Sequence, residues 1–480
     1  MHPGIEQIDD YRWRVPKRGR MRVSGLIYAE ESLIPAIVED KAVEQVANVA
    51  CLPGIVGHSI AMPDIHWGYG FPIGGVAAFD PDDDGVVSPG GVGYDINCGV
   101  RLLSSVLTRD EIAPRLAQLA DALFANIPSG VGSHRKDLRL TARELDGVLA
   151  DGAGWAVGRG FGERAELEVL EERGAIPWAE PRAVSERAKE RGRPQLGTVG
   201  SGNHFVEVQW VDEVYDAAAA AQLGLAQGSV TILIHSGSRG LGYQVCDDFI
   251  KVMLKAAAKY GIELPDRQLC CAPLGSDEGR RYLGAMGAAA NFAFANRHLM
   301  AHWVRESIEH GLGFAPREHR LRTVYDVCHN IAKLERHETP KGVRELCVHR
   351  KGATRAFGPG HPALPAAYRD LGQPVLIPGD MGRYSFVMLG CENSGEAFGS
   401  ACHGAGRRMS RSAAKKLAAG RPVVRELAAQ GIEIRAAGMG TVLEEIPEAY
   451  KDVADVVGAV DGAGLARKVA RLRPLAVIKG

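Results

Sequence analysis

The chain has 480 residues, of which 46% are hydrophobic and 24% are charged, and its formal net charge is -1. This balance is typical of a globular protein with a large core, and it excludes an overall charge strong enough to attract a partner by itself. Nine scattered cysteines without a Cys-x-x-Cys pair disfavour a disulfide framework and a zinc ribbon. The N-terminal residues lack a signal-peptide pattern, and no apolar run reaches the roughly 18 residues of a membrane span. We therefore expect a cytoplasmic protein without a membrane segment.

Two kinds of local pattern alternate along the chain. Glycine-rich stretches predict short strands joined by tight turns over residues 68–104 and 352–407. Apolar residues at helical spacing predict helices over residues 108–126, 140–150, 246–259 and 277–311. Residues 159–196 are highly charged with weak periodicity, which predicts a charged surface excursion. Because short strands and scattered helices are mixed without regular βαβ repeats, we expect an α+β fold.

The segment from Ser88 to Gly99 carries the first candidate metal ligands. Asp95 and Cys98 are three residues apart in a turn-prone stretch, so both side chains can reach one ion. A carboxylate with a thiolate suits a borderline transition metal better than magnesium. A turn-capping aspartate and a small buried cysteine also explain this segment. Taken alone, the segment favours that structural explanation over a metal site.

Three histidines lie where predicted strands begin or end. His204 opens an alternating apolar run, with Asn203 and Glu207 beside it as candidates for the polar edge of a base. His235 follows five β-prone residues and precedes a turn of small residues, and His329 stands next to Asn330. A single histidine of this kind is more often structural than a ligand. Several of them, together with the Asp-x-x-Cys pair, favour a shared metal site, although the spacing matches no local metal motif.

A later loop, from Ser400 to Arg408, places His403 among small residues and ahead of Arg407. Small residues let an anionic group approach the backbone and the ring, and arginines can hold phosphate oxygens. From this pattern His403 is an acid, a metal ligand or a nucleophile. The segment from Pro378 to Ser385 is either a phosphate loop or a tight turn, and Lys479 lies on an apolar strand. No Walker A sequence is present.

These segments together resemble the RtcB family of RNA-splicing ligases. The resemblance covers essentially the whole chain, since the family's segments occur here in family order: Met62-Pro-Asp-Ile-His-Trp-Gly-Tyr-Gly70, Gly93-Tyr-Asp-Ile-Asn-Cys-Gly-Val-Arg101, Gly200-Ser-Gly-Asn-His-Phe-Val-Glu207, His235-Ser-Gly-Ser-Arg-Gly240, Cys328-His-Asn-Ile-Ala332 and Cys402-His-Gly-Ala-Gly-Arg407. It implies one ligase domain over residues 1–480, built from mixed, mostly antiparallel sheets with surrounding helices.

The resemblance also implies a reaction. Family members join RNA 3′-phosphate or 2′,3′-cyclic phosphate ends to 5′-hydroxyl ends, using GTP and two manganese ions per active site. Carried over, Cys98 bridges the ions, His235 and His329 complete one site, and Asp95 with His204 completes the other. His403 then attacks the α-phosphate of GTP and holds GMP. The implied partners are tRNA halves or damaged RNA, with an activating protein as a further candidate partner.

A set of guanylate contacts is implied in the same way: Asn203, His204, Phe205, Val206, Glu207, His329, Asn330, Pro378, Gly379, Asp380, Met381, Ser385, His403, Gly404, Ala405, Gly406, Arg407 and Lys479. Candidates for RNA phosphate are Arg191, Arg239 and Lys351. The chain departs from the family at Asp380 and Arg383, where small residues are common, and this puts the contacts to guanine in question. Glu207 either accepts from the base or pairs with Lys479 or Asp380.

Two other classes of function compete with the ligase hypothesis. A dinuclear metal-dependent phosphoesterase acting on RNA ends would use the same metal ligands without a covalent nucleotide. A non-catalytic RNA-binding protein would keep the fold alone. The His403 loop and Lys479 favour the ligase, because a hydrolase needs no guanylate pocket, and the complete set of candidate ligands argues against a protein that has lost its activity.

Overall fold

The computed structural model describes residues 4–135 and 137–480. The strands are β1 (Glu6–Gln7), β2 (Arg12–Val15), β3 (Gly25–Tyr28), β4 (Ile55–His66), β5 (Ile73–Phe79), β6 (Val86–Val87), β7 (Gly99–Thr108), β8 (Phe205–Val214), β9 (Ser229–Ser236), β10 (Ala272–Pro273), β11 (Arg322–Cys328), β12 (Asn330–Thr339), β13 (Gly342–Lys351), β14 (Ala353–Arg355), β15 (Pro374–Ile377), β16 (Ser385–Gly390), β17 (Ser400–Cys402), β18 (Glu433–Ala436) and β19 (Ala466–Lys479).

The α-helices are α1 (Ile34–Glu39), α2 (Ala42–Val49), α3 (Arg109–Ile112), α4 (Leu116–Asn126), α5 (Ala142–Asp151), α6 (Ala153–Gly158), α7 (Glu186–Gly192), α8 (Ala217–Leu223), α9 (Arg239–Lys259), α10 (Asp277–Leu312), α11 (Pro316–His319), α12 (Arg411–Leu417), α13 (Val423–Ala428), α14 (Met439–Glu444) and α15 (Val453–Gly462). Short 3₁₀ turns lie at Glu31–Leu33, Pro81–Asp83, Pro89–Gly91, Ala113–Arg115, Arg164–Val169, Glu171–Gly174, Pro181–Ala183, Arg193–Gln195, Arg267–Leu269, Ala366–Tyr368, Glu392–Ala397 and Pro447–Ala449.

Two large sheets organise the molecule. The seven-stranded sheet has the order β1-β2-β3-β4-β5-β13-β12, and the eight-stranded sheet has the order β11-β7-β9-β8-β19-β16-β15, with β18 alongside β19. Among these pairs only β3–β4 and β18–β19 are parallel, within the residues that the structure describes. The prediction of an α+β fold with mostly antiparallel sheets is therefore confirmed.

The long helix α10 packs against the eight-stranded sheet. It begins where the Ser276 hydroxyl accepts from the Gly279 N–H and ends at Gly313, whose φ of 73° is readily adopted by glycine. Most of its residues are buried, as expected of a helix that is apolar on nearly every face. Neither α10 nor any other described helix is long and apolar enough to cross a lipid bilayer.

The chain crosses from one sheet to the other at His329. Strand β11 of the eight-stranded sheet ends at Cys328, and strand β12 of the seven-stranded sheet begins at Asn330. The His329 N–H donates to the Cys98 carbonyl, and the Asn97 N–H donates to the Asn330 carbonyl. This crossing point therefore ties the turn before β7 to both sheets.

Residues 159–196 contain short helical turns and pack partly into the body. Glu171 is 1% exposed and its carboxylate lies 2.5 Å from Lys333 Nζ, while Glu172 lies 2.6 Å from the Arg355 guanidinium. Ile176 is also fully buried. Some charged residues of this segment therefore form buried ion pairs, and the segment is not only a solvated surface.

Candidate active site

The candidate metal ligands gather at one end of neighbouring strands in the eight-stranded sheet. Cys98 precedes β7, His204 precedes β8 and His329 follows β11, while His235 lies near the end of β9. Because β7, β8 and β11 each run antiparallel to their neighbour, strand starts and strand ends meet at the same edge. The register pairs His235 with Val100 and with Phe205, so residues far apart in sequence become neighbours.

The ligand atoms converge on Cys98. Its Sγ lies 3.3 Å from His235 Nε2 and 3.4 Å from His204 Nε2. His235 Nε2 is 3.3 Å from His329 Nε2, and His204 Nε2 is 2.8 Å from Asp95 Oδ2. Two triads result, Cys98 with His235 and His329, and Cys98 with Asp95 and His204, and the ligand atoms of each lie within 4.8 Å of one another.

The chemistry of this cluster fits divalent cations. Burial holds the pKa of His235 and His329 well below the ordinary value, so both rings are neutral and can offer nitrogen lone pairs. Burial and the Asp95 carboxylate raise the pKa of the Cys98 thiol, so a thiolate here requires a nearby cation to offset its charge. Thiolate, imidazole and carboxylate ligands together suit a borderline transition ion.

A buried arginine on α10 fixes the two loops that carry the cluster. Arg297 Nη1 donates to the carbonyls of Asn97 at 2.8 Å and Ser236 at 2.9 Å, and Nη2 donates to Asn97 Oδ1 at 3.0 Å. Its charge is balanced by Asp326 at 2.7 Å, which also pairs with Arg101. The turn before β7 and the end of β9 are therefore held in one arrangement from behind.

His403 lies beside this cluster with its ring oriented by Asp64. The Nδ1 atom is 2.6 Å from Asp64 Oδ2, and the same oxygen accepts from the His403 N–H at 3.0 Å. A proton on Nδ1 leaves the Nε2 lone pair free on the opposite side of the ring. The ring centroids of His403 and His329 are 4.9 Å apart, so the free nitrogen lies close to the candidate metal ligands.

Two further contacts hold the Asp64 segment against the His403 loop. Lys451 Nζ donates to the carbonyls of Pro63 at 3.0 Å and Ile65 at 2.6 Å, on either side of Asp64. Gly406 has a φ of 71°, and a Cβ there would lie 2.2 Å from the Asp64 carbonyl oxygen. Only glycine allows this close approach of the two backbones.

A cavity opens in front of His403, with about 1050 Å³ of free space when its open mouth is included. Most of the predicted guanylate contacts line it: Asn203, Phe205, Glu207, His329, Asn330, Pro378, Gly379, Asp380, Met381, Ser385, His403, Gly404, Ala405, Gly406, Arg407 and Lys479. Cys98 and His235 also reach its wall, so the metal cluster and the cavity are continuous.

The inner end of the cavity carries a buried carboxyl group between polar partners. Glu207 accepts from the Gln209 amide at 2.5 Å, and burial together with Asp380 raises the pKa of Glu207 to about 8. Lys479 Nζ donates to the Gly202 carbonyl at 2.8 Å, and burial lowers the pKa of Lys479. An acceptor and a donor thus stand at one end of the cavity, as a purine edge requires.

Asp380 and Arg383, the departure from the family pattern, pair with each other. Asp380 Oδ1 accepts from the Gly382 and Arg383 N–H groups, and Oδ2 lies 2.5 Å from Arg383 Nε. Arg383 also donates to the Pro447 and Tyr450 carbonyls. The pair therefore closes the turn after Pro378, while Asp380 still lines the cavity.

The structure places three of the predicted residues away from the cavity wall. Lys351 is 3% exposed, and its Nζ donates to the carbonyls of Tyr69, Phe71 and Gly90, so it holds backbone together and does not face RNA phosphate. The Val206 side chain lies in the core on the opposite face of β8 from Phe205 and Glu207, because successive strand residues alternate. His204 contributes to the metal cluster and is not a lining residue of the cavity.

The other arginines predicted to contact phosphate have different surroundings. Arg191 is exposed and bonds to Gln244 at 2.8 Å, and Arg239 is half-buried with its Nε 3.3 Å from Thr198 Oγ1. Arg407 is engaged with Glu445, the Tyr450 hydroxyl and the Glu444 carbonyl. Contact of Arg191 and Arg239 with phosphate stays a prediction. The Arg407 guanidinium already forms hydrogen bonds with protein groups.

Several residues of the site were not predicted from sequence. Asp64 lies in a segment that resembles the family, but nothing local showed that its partner is 339 residues away. Arg297 is hidden in an apolar helix, and Lys451 gave no pattern at all. Arg411, Glu445 and Tyr450 also line the cavity. Only the strand order and the loop contacts reveal these neighbours.

Comparison with known proteins agrees with this geometry. Residues 45–480 match the family model described as tRNA-splicing ligase RtcB. The chain is 55% identical to a tRNA-splicing ligase RtcB of Thermococcus kodakarensis over 478 residues, 53% identical to that of Archaeoglobus fulgidus over 479 residues and 51% identical to that of Aeropyrum pernix over 477 residues. In each case 99% of both chains is covered. The chain therefore belongs to the RtcB family.

Proposed function

We propose that this protein is an RNA ligase of tRNA splicing that joins RNA 3′-phosphate or 2′,3′-cyclic phosphate ends to 5′-hydroxyl ends, with GTP as the energy source and His403 as the carrier of GMP. The observation that supports this most strongly is the position of His403. Its Nδ1 is held by Asp64, and its ring lines the cavity next to His329 of the metal-ligand cluster. A hydrolase that uses only a metal-bound nucleophile would need neither the Asp64–His403 pair nor a guanylate pocket.

In the first step Nε2 of His403 attacks the α-phosphorus of GTP, and the bond to the β-phosphate breaks, releasing pyrophosphate. The imidazole gains positive charge as the phosphoramidate bond forms. Asp64 accepts from Nδ1–H and stabilises that charge, as a carboxylate does for a catalytic histidine elsewhere. The orientation of the ring is thus set before GTP arrives.

The second step transfers GMP to RNA. The 3′-phosphate of one RNA displaces His403 from phosphorus and becomes an activated RNA–ppG end. The 5′-hydroxyl of the other RNA then attacks the RNA phosphorus, GMP leaves, and a phosphodiester forms. A cyclic phosphate is first opened by water to a 3′-phosphate. The RNA substrates are tRNA halves or damaged RNA, and we place this reaction in the cytoplasm, where the nine free cysteines would stay reduced.

Two manganese ions are the proposed cofactors. Cys98 would be shared between them, with His235 and His329 holding one and Asp95 and His204 holding the other. When bound, such ions neutralise phosphate charge and align the triphosphate. Gly237 keeps room for this arrangement, since a Cβ there would lie 2.4 Å from the Asp95 carboxylate.

Guanine recognition is assigned to the inner end of the cavity. Glu207 would accept from the N1–H and N2 amine of guanine, and Lys479 would donate to O6. Adenine presents the opposite pattern of donors and acceptors at these positions. The buried carboxyl and the buried lysine support a preference for guanine because an unsatisfied partner there would be unfavourable.

Incubation with α-labelled GTP and manganese tests the assignment. We expect an acid-labile label on the wild-type protein and no label on His403→Ala. The runner-up function, a dinuclear phosphoesterase, predicts hydrolysis of RNA phosphate ends by a protein that never acquires label. Label that persists in His403→Ala, or is absent from a wild-type protein loaded with metal, would reject His403 as the nucleophile.

A further inference from the structure

A row of aromatic rings runs away from the candidate metal cluster. The rings of Tyr69 and Tyr94 meet edge to face with centroids 5.5 Å apart, and those of Tyr94 and Tyr243 stack at 4.8 Å with 26° between their planes. The Arg191 guanidinium lies 5.2 Å from the Tyr243 centroid. We call these four residues, Tyr69, Tyr94, Tyr243 and Arg191, the aromatic ladder.

The ladder begins at the site and ends at the surface. Tyr94 directly precedes Asp95 of the metal cluster in the sequence. Tyr243 lies one helical turn after Arg239 at the start of α9. Tyr243 is 47% exposed. Among the described residues, none forms a hydrogen bond with the hydroxyl group of any of the three tyrosines. Tyr243 is therefore available to a ligand at the surface, and Tyr69 and Tyr94 are half-buried behind it.

The inner end of the ladder is held rigidly. Buried Lys351 donates to the Tyr69 carbonyl, and the Gln45 amide donates to the carbonyls of Gly68 at 2.6 Å and Gly70 at 3.1 Å. The Gly70 N–H in turn donates to Gln268 Oε1 at 2.9 Å. The backbone on both sides of Tyr69 is therefore fixed, so a ligand that stacks on these rings meets a preformed surface.

Two arginines lie near the outer end of the ladder. Arg191 Nε would lie 3.5 Å from a Cβ on Gly240, so the Arg191 side chain passes the backbone next to Arg239. The positive charge of these arginines attracts a polyanion, whose uncharged base faces can then contact the rings.

We propose that the aromatic ladder binds unpaired nucleotides of the RNA strand next to the end being joined, with bases stacked on the tyrosines and phosphates beside Arg191 and Arg239. This inference rests on the proposed RNA ligase function. Stacking on aromatic rings tolerates every base, which suits an enzyme that joins ends of varied sequence. Continuity with the site favours RNA over a protein partner, because Tyr94 directly precedes the candidate metal ligand Asp95.

The test measures binding of a short single-stranded RNA with a 3′-phosphate, and of a second RNA with a 5′-hydroxyl, in the absence of GTP. We expect Tyr243→Ala to weaken binding of at least one of them by about tenfold, the typical loss for removal of one stacked base contact. The conservative variant Tyr243→Phe should restore affinity, since the ring and not the hydroxyl is used. Ligation should show a raised KM for RNA with kcat unchanged.

Abasic nucleotides next to the RNA end give a readout that no folding defect can imitate. We expect them to weaken binding to the wild type but to add little in Tyr243→Ala, because the same contact is already lost. Tyr260→Ala, an exposed tyrosine at the other end of α9 and about 25 Å away, is the matched control and should bind RNA normally.

The outcomes separate this inference from the proposed function. Labelling of His403 by GTP needs no RNA, so it should proceed normally in Tyr243→Ala whatever the ladder does. If wild-type protein binds intact and abasic RNA equally, or if Tyr243→Ala binds RNA like the wild type, the ladder is not an RNA surface. A protein that binds RNA through the ladder but never acquires label would overturn the ligase mechanism instead.

Discussion

The metal-ligand cluster and the His403 loop meet in one cavity, but they are held by different means. The cluster stands on the ends of adjacent strands, where hydrogen-bonded register fixes His235 opposite Phe205 and Val100. The His403 loop follows the short strand β17 and is held by the Asp64 carboxylate and by two backbone hydrogen bonds, from the Lys451 N–H to Gly406 and from the Arg408 N–H to Ala449. One half of the site is therefore built into a sheet, and the other depends on a few specific hydrogen bonds.

This difference has a functional meaning. Ions need ligands at fixed separations, which strands of one sheet supply. The proposed carrier of a covalent nucleotide needs a defined orientation and open space in front of it, and a glycine-rich loop with a single carboxylate partner supplies both. Changes on the two sides should therefore produce different kinds of loss.

Cys98→Ala should have the largest effect. Its sulfur belongs to both triads, so both ions lose a ligand at once. We expect loss of bound manganese, measured by elemental analysis after dialysis, and no labelling by α-labelled GTP. Cys51→Ala, at a half-buried thiol outside the cluster, is the control and should keep both properties. Full metal content and labelling in Cys98→Ala would show that the sulfur is not shared.

Asp64→Asn should slow labelling of the protein by roughly 10²- to 10⁴-fold, because an amide no longer stabilises the charge on His403 and can favour the wrong tautomer. Metal content should not change, since Asp64 is on the other half of the site. Single-turnover labelling rates check this. Asp40→Asn is the matched control, as its amide oxygen can still accept from the Trp67 N–H. An unchanged labelling rate in Asp64→Asn would show that Asp64 does not orient His403.

Arg297→Met should destabilise the protein by about 3–5 kcal/mol, because Asp326 loses a buried partner and the metal-binding loops lose their shared clamp. Thermal unfolding of the metal-free protein measures this. Lys451→Met removes the corresponding clamp on the His403 side, where neutral carbonyls lose a donor, and should destabilise by about 1–3 kcal/mol. Equal losses would mean that the two halves are not held differently.

The smallest expected effect is the pH dependence of the affinity for guanosine. The pKa of Glu207 is raised to about 8 by burial and Asp380, with Lys479 opposing, so the carboxyl is neutral at pH 7 in the free protein. The N1–H and N2 amine donors of guanine favour the ionised form of the Glu207 carboxyl group. Affinity for guanosine should therefore rise with pH by up to about tenfold per unit, and level off above about pH 8.

Calorimetric titration with guanosine at several pH values checks this, since guanosine carries no titrating phosphate. Glu207→Gln should bind guanosine more weakly and without the rise, whereas Glu213→Gln, on the exposed part of the same strand, should keep it. The same shift works against folding: stability from the neutral carboxyl is complete below the ordinary pKa of glutamate and is lost as the pH rises through about 8. If the affinity of the wild type for guanosine did not change with pH, guanine would not bind at Glu207.

The sequence predicted the ligands of the strand-end cluster more fully than their neighbours. A run of β-prone residues beside glycines marks the start or the end of a strand, so His204, before β8, and His235, near the end of β9, could be placed without the fold. The interpretation of Lys351 as a phosphate contact did not foresee its burial, because its charge alone does not show that β13 lies between two other strands. Lys351 is consequently buried against carbonyls and not exposed to RNA.

By itself the sequence determined which residues are chemically competent and which family the chain resembles, since both depend on short local segments. The tertiary structure decided the partners: Asp64 for His403, Arg297 for the two metal loops, Lys479 beside Glu207, and Tyr94 beside Tyr243. These pairs are separated by tens to hundreds of residues. Only strand register and packing bring them together, because each chain segment alone is compatible with many neighbours.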